Sequence, residues 1–206
     1  MMFGIKGWIS VLMLAVAAAQ AQAEEGLTPE HYASTAMQAQ EKGDWRSAVK
    51  YWARAHSAAE MQNGDSQTAA IVAHEYGRAL GVICEFARAE ELLLQALAID
   101  ESSGGPAHMP LVELSRLKMD QKLYQEAVSY FDRAVDALDG MNAANRDPHG
   151  FAHFLEEYAD ALTHAGLEEQ ARIVAGRAEK LSMQHRHSHG DASAQRTPFG
   201  SQCTSS

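Results

Sequence analysis

The chain has 206 residues, with 17 Lys and Arg against 27 Asp and Glu, a formal net charge of −10. That acidity excludes the usual nucleic-acid binder, whose phosphate contacts need a basic footprint, and it disfavours anionic lipid surfaces. Two cysteines are too few for a disulfide framework.

Residues 1–23 read as a secretory leader. Lys6 is the only charge before a twelve-residue apolar run, Trp8 to Ala19. Ala21-Gln22-Ala23 supplies small residues for cleavage, and Glu24-Glu25 ends the apolar stretch. Twelve residues fall short of the roughly 20 that span a bilayer. The expectation is an exported chain, periplasmic or secreted, with no membrane insertion after the leader is removed.

Eight helices are predicted after the leader, over about 29–42, 45–62, 66–83, 86–102, 106–121, 123–139, 148–165 and 167–184. They pair into helix-turn-helix units at about 29–62, 66–102, 106–139 and 148–184, with no strand between them. Thr28-Pro29 and Asp147-Pro148 each place a cap residue before a first-turn proline. Asp44 is an N-cap for the second helix, and Gly104-Gly105-Pro106 separates two units. The breaks inside the units fall at Lys42-Gly43-Asp44, Ile83-Cys84-Glu85, Gln121-Lys122 and Ala165-Gly166.

Alanines seven apart recur in each second helix: Ala48/Ala55, Ala89/Ala96, Ala127/Ala134 and Ala171/Ala178. Seven residues is about two turns, so each pair lies on one helix face and admits a close neighbour. A small residue stands on each first helix (Ala36, Gly77, Ser115, Ala159), and bulky residues flank the first three pairs (Trp45, Trp52, Phe86, Leu93, Tyr124, Phe131). A period near 40 residues implies stacked units rather than one closed globule. Beyond 184 the pattern stops, and residues 185–206 read as a disordered His- and Ser-rich tail. Cys84, at the end of an apolar pattern, reads as a small buried hydrophobe; whether it pairs with Cys203 is left open.

This pattern resembles the tetratricopeptide repeat (TPR), with long units like those of kinesin light chains. The resemblance implies an all-α, right-handed superhelical solenoid of four TPR-like repeats. The polar second helix of the fourth unit (Glu168, Ala175, Glu179) suits a solvated end of the stack. It also implies a peptide-binding groove along the first helices, at Met37, Gln40, His74, Arg78, Met109, Val112, Arg116, Met119, His153, Glu156, Asp160 and His164. The groove would take a peptide with an apolar centre and an acidic residue, clamped by Arg78 and Arg116. The family's closing proline is absent, and its carboxylate-clamp pattern is not reproduced. Partners are thus expected to be proteins or peptides, with room for an oligomer through the first unit near Tyr32.

Chemistry has little to rest on. The sequence holds no Gly-rich phosphate loop, Cys-x-x-Cys, His-Glu-x-x-His or nucleophile elbow, so a non-catalytic scaffold without cofactor is expected. The alternative is a metal-binding or carrier protein. His149, His153, Glu156, Asp160 and His164 share one stripe of the seventh helix, where imidazoles and carboxylates could hold Zn²⁺ or another transition metal. His185, His187 and His189 in the tail form a second candidate set.

Overall fold

The computed structural model describes residues 28–64, 66–184 and 196–203. The expected leader and the tail histidines His185, His187 and His189 lie outside the described residues. The helices are α1 (Pro29–Glu41), α2 (Trp45–Asn63), α3 (Gln67–Val82), α4 (Phe86–Ser103), α5 (His108–Asp120), α6 (Tyr124–Gly140), α7 (Ala143–Arg146), α8 (Pro148–His164) and α9 (Glu168–Gln184). The short α7 was not expected from the sequence; Asn142, in the left-handed region at φ 58°, turns the chain into it.

Local chemistry sets the helix starts. Thr28 Oγ1 accepts from the His31 N–H at 3.3 Å and Asp44 Oδ1 from the Ser47 N–H at 3.0 Å. Ser66 Oγ accepts from Ala69 at 3.2 Å and Asp147 Oδ1 from Gly150 at 2.9 Å. Each bond satisfies one N–H that a helix start leaves without an intrahelical partner.

Each hairpin (α1/α2, α3/α4, α5/α6, α8/α9) turns through one residue in the left-handed region. These are Gly43 at φ 72°, Cys84 at 75°, Lys122 at 62° and Gly166 at 77°. Glycine adopts that conformation without cost, whereas a side chain costs about 1 kcal/mol or more. Two of the four turns therefore carry a residue that the backbone alone would not select.

The repeated small residues are where the helices touch. Seven of the eight paired alanines are at most 1% exposed, and Ala36 and Ser115 are fully buried. At Gly77 an added Cβ would lie 3.0 Å from the Ala89 carbonyl oxygen and from Leu93, so the α3–α4 approach requires glycine's missing side chain. Trp52, Leu93 and Phe131 fill the same register at 0–1% exposure. Phe131 stacks on Tyr158 of the next unit at 5.2 Å and tilts against Phe154 at 5.1 Å. One apolar core thus runs from Ala36 to Leu181 through all four units.

Residues 196–203 depart from the expected disorder. Phe199 is buried, Arg196 is ion-paired, and Cys203 forms a disulfide with Cys84. Three isolated anchors hold this segment, so hydrophobic periodicity had nothing to register.

Candidate functional site

The first helices of the second and third units carry acids and arginines in matching register, and that of the fourth adds an acid. Glu75-x-x-Arg78 on α3 recurs as Glu113-x-x-Arg116 on α5. A three-residue step keeps both charges on one helix face, and the repeat offset brings the arginine of one unit to the glutamate of the next. Arg78 Nη1 lies 3.3 Å from Glu75 and its Nε lies 3.3 Å from Glu113. Arg116 Nη1 lies 3.4 Å from Glu113, and its Nε donates to Glu157 of α8 at 2.7 Å. Glu157 continues to Arg196 at 3.3 Å, and Arg196 closes on Asp120 at the end of α5 with bonds of 2.7 and 3.1 Å.

The ladder holds its charges firmly. Burial alone would raise the Glu75 pKa, but His74 and Arg78 outweigh it and hold it below the ordinary value. Burial works against the charges of Arg78 and Arg196 as well, yet their carboxylate partners raise both pKa values. These groups are paired before any ligand arrives.

Beside the ladder, α5, α6, α7 and α8 enclose a cleft of about 320 Å³. Val112, Leu138, Ala143, Phe151 and Phe154 give it an apolar lining, with His108, Arg116 and Asp147 as its polar members. The Arg116 guanidinium sits 5.6 Å above the Phe154 ring. Burial lowers the His108 pKa below its ordinary 6.5 despite the nearby Asp100.

The structure redistributes the residues chosen from sequence. Val112 and Arg116 line the cleft, and Met109 is exposed on the same helix. Met37 is also exposed, but on α1, outside the cleft lining. Gln40 is spent inside the first hairpin, accepting from Trp52 Nε1–H at 2.9 Å. His74 is buried with Nδ1 at 3.3 Å from Glu75, and Met119 packs against the core. Arg78 and Arg116 are not free clamps for a ligand carboxylate, because Glu75, Glu113 and Glu157 already occupy them.

On α8 the inward acid is Glu157, one residue beyond Glu156. Glu156 and Asp160 are exposed, whereas the Glu157 side chain is 11% exposed between two arginines. The histidine stripe does not converge either. Among the described residues no group of three or more His, Cys, Asp or Glu is placed to hold a metal ion. His153 faces Glu157 at 3.8 Å. His164 lies 3.4 Å from Asp160 and stacks on Tyr124 at 4.5 Å. From His149 to His164 the helix rises about 22 Å, so steps of three and four residues spread the ligands along the axis instead of around one point.

The tail segment lies across the ends of the first helices. Phe199 donates its N–H to Asp120 at 2.9 Å and seats its ring over Gly81 of α3. The Gly200 and Gln202 N–H groups donate to the carbonyls of Gly81 and Val82 at 2.9 and 3.0 Å. Those carbonyls belong to the last turn of α3, where acceptors lack helical partners. Cys203 then reaches Cys84, with the two Cα atoms 5.3 Å apart. Sequence reasoning missed Glu75, Glu113, Glu157, Asp120 and this segment. The repeated Glu-x-x-Arg was the available signal for the ladder, and a cysteine at the glycine position of a turn was the signal for the latch.

No protein-family model and no curated protein matches this sequence. Solved structures match it in fold. BtubC (BKLC) from P. vanneervenii superposes with a TM-score of 0.71 over 80% of this chain, at 17% identity, and this chain spans 66% of that one. Two crystal structures of kinesin light chain TPR-like repeats from Podosopora anserina give TM-scores of 0.67 and 0.64 at 20% and 22% identity. Each covers 86% of this chain, and 86% and 87% of their own chains are matched. The chain therefore has the fold of an all-α TPR-like repeat solenoid, as the alanine pairs implied.

Proposed function

We propose that this chain is an exported, non-catalytic scaffold that holds a protein or peptide segment against the face formed by its first helices. The observation that carries the reading is the cleft between α5 and α8, about 320 Å³ with an apolar lining and few polar groups. Such a cleft suits one large apolar side chain of a bound segment. The solenoid fold supports it, because rigid stacked helices present a preformed surface and limit the entropy lost on binding. With both arginines internally paired, the ligand's acidic residue is no longer required.

Export is supported by the leader pattern and by the Cys84–Cys203 bond, since disulfides persist in oxidising compartments. Among the described residues no helix is long and apolar enough to cross a membrane.

The test is selection of a displayed peptide library on the full chain, followed by retesting of the selected peptides on Val112→Arg and Leu138→Arg variants that obstruct the cleft. Selected peptides should share an apolar anchor and lose about tenfold or more in affinity on both variants. Unchanged affinity on both rejects the cleft as the binding site.

A further inference from the structure

The contacts of residues 196–203 are those of a ligand on a receptor. Arg196 makes a two-point guanidinium–carboxylate bond to Asp120, a geometry that selects arginine over lysine. Phe199, 6% exposed, occupies a seat whose floor is glycine: a Cβ on Gly81 would stand 2.2 Å from the ring. The backbone that follows uses carbonyls at the end of α3. The segment belongs to no hairpin, yet it spans α8, α5 and α3 in that order.

The covalent end of this arrangement is placed with equal specificity. Cys84 occupies the left-handed turn position that Gly43 and Gly166 fill elsewhere. Lys122 shows that a side chain is accepted at this turn position; what sets Cys84 apart is its bond to Cys203. Cys203 is exposed and Cys84 half-buried, so a dithiol can reach the bond.

We propose that residues 196–203 are a built-in ligand, latched by Cys84–Cys203 over a receptor seat for an extended partner segment that carries arginine and, three residues later, an aromatic side chain. The proposal rests on the reading of the first-helix face as a binding surface. The latch opens by exchange with a dithiol. The dithiol gives two electrons and two protons and becomes a disulfide, the Cys84–Cys203 S–S bond breaks, and each sulfur leaves as a thiol. The tail then becomes an ordinary tethered competitor. It is then held only by its chain connection and its non-covalent contacts, and a partner can displace it.

The probe is a fluorescein-labelled peptide with the sequence of residues 196–203, serine replacing its last cysteine, titrated by anisotropy. The receptor is the full chain in three forms: oxidised, reduced with dithiothreitol, and a Cys84→Ser/Phe199→Ala double variant whose own tail is disarmed. The peptide should bind the reduced chain about tenfold or more tighter than the oxidised chain, and the double variant tighter still. Adding Gly81→Ala to the double variant should abolish binding, although alanine is the better helix former at that position. Circular dichroism checks the helix content of each variant, and the reduced natural chain decides the question should a variant unfold. Equal affinity for oxidised and reduced chains overturns the proposal. So does binding that survives Gly81→Ala, or a reduced chain that dimerises and so gives the seat to a second copy's tail. Loss of this binding while cleft-selected peptides still bind would remove the built-in ligand and leave the cleft reading standing.

Discussion

Breaking the Cys84–Cys203 bond should cost stability on the scale of a large core truncation. The bond joins residues separated by 119 positions. In the chain-entropy description, closing a loop of that length restricts the unfolded chain by about 5 kcal/mol, and native bonds commonly deliver about 2–4. A urea slope of about 2 kcal/mol per molar then converts a loss of about 2–4 kcal/mol into a midpoint lower by about 1–2 M. The assay is urea unfolding followed by far-ultraviolet circular dichroism, with and without dithiothreitol. Oxidised Cys203→Ser should overlay the reduced natural chain, and reductant should leave that variant unchanged. Coincident curves for the oxidised and reduced natural chain would refute the reasoning. A reductant effect that persists in Cys203→Ser would place the cause elsewhere.

Three further outcomes follow from the same contacts. Asp120→Asn removes the charge that receives Arg196, costs about 1.5–3 kcal/mol locally, and should expose the Arg196–Thr197 bond to trypsin; unchanged resistance would deny that this pair holds the segment. Phe131→Ala empties a fully buried site stacked on Tyr158 and should lower stability by about 3–5 kcal/mol, read as a fall in the urea midpoint. Glu75 has a folded pKa below its ordinary 4.5, so its pairing contributes fully above that pH and is lost as pH falls through the folded value. Urea midpoints measured from about pH 6 to 3 should therefore decline less steeply in Glu75→Gln than in the natural chain.

The fold was legible because its determinants are local and repeated. Alanines seven apart, a small residue on each first helix and bulky residues flanking three of the four pairs all report the same close helix approach. Caps at Thr28, Asp44 and Asp147 mark boundaries by a bond to an N–H three residues on. The site was less legible because its partners come from different units. Arg116 looks the same in sequence whether it awaits a ligand or faces Glu157 across the stack. A one-residue offset on α8 separates the ladder acid, Glu157, from the solvated Glu156, and helical period alone does not resolve it. Residues 196–203 were invisible for a different reason. Arg196, Phe199 and Cys203 act singly, each meeting a surface assembled by residues 39 to 119 positions away.

The segment 196–203 also changes how the array is coupled. A solenoid is stabilised by contacts between adjacent units, so a distant pair of units communicates only through those between. The ladder obeys that rule: Glu75, Arg78, Glu113, Arg116 and Glu157 link α3 to α5 and α5 to α8 in single steps. Residues 196–203 do not obey it, because one short segment touches Glu157 on α8, Asp120 on α5 and Gly81 on α3, and is bonded to the turn after α3. With the disulfide closed, fraying of the last unit pulls on the second, and the three units lose structure together. With it open, each unit answers only to its neighbours, and the first-helix face gains freedom to flex. The bond that covers the seat is thus also the one that stiffens the surface around it, so a single dithiol exchange would alter access and rigidity in the same step.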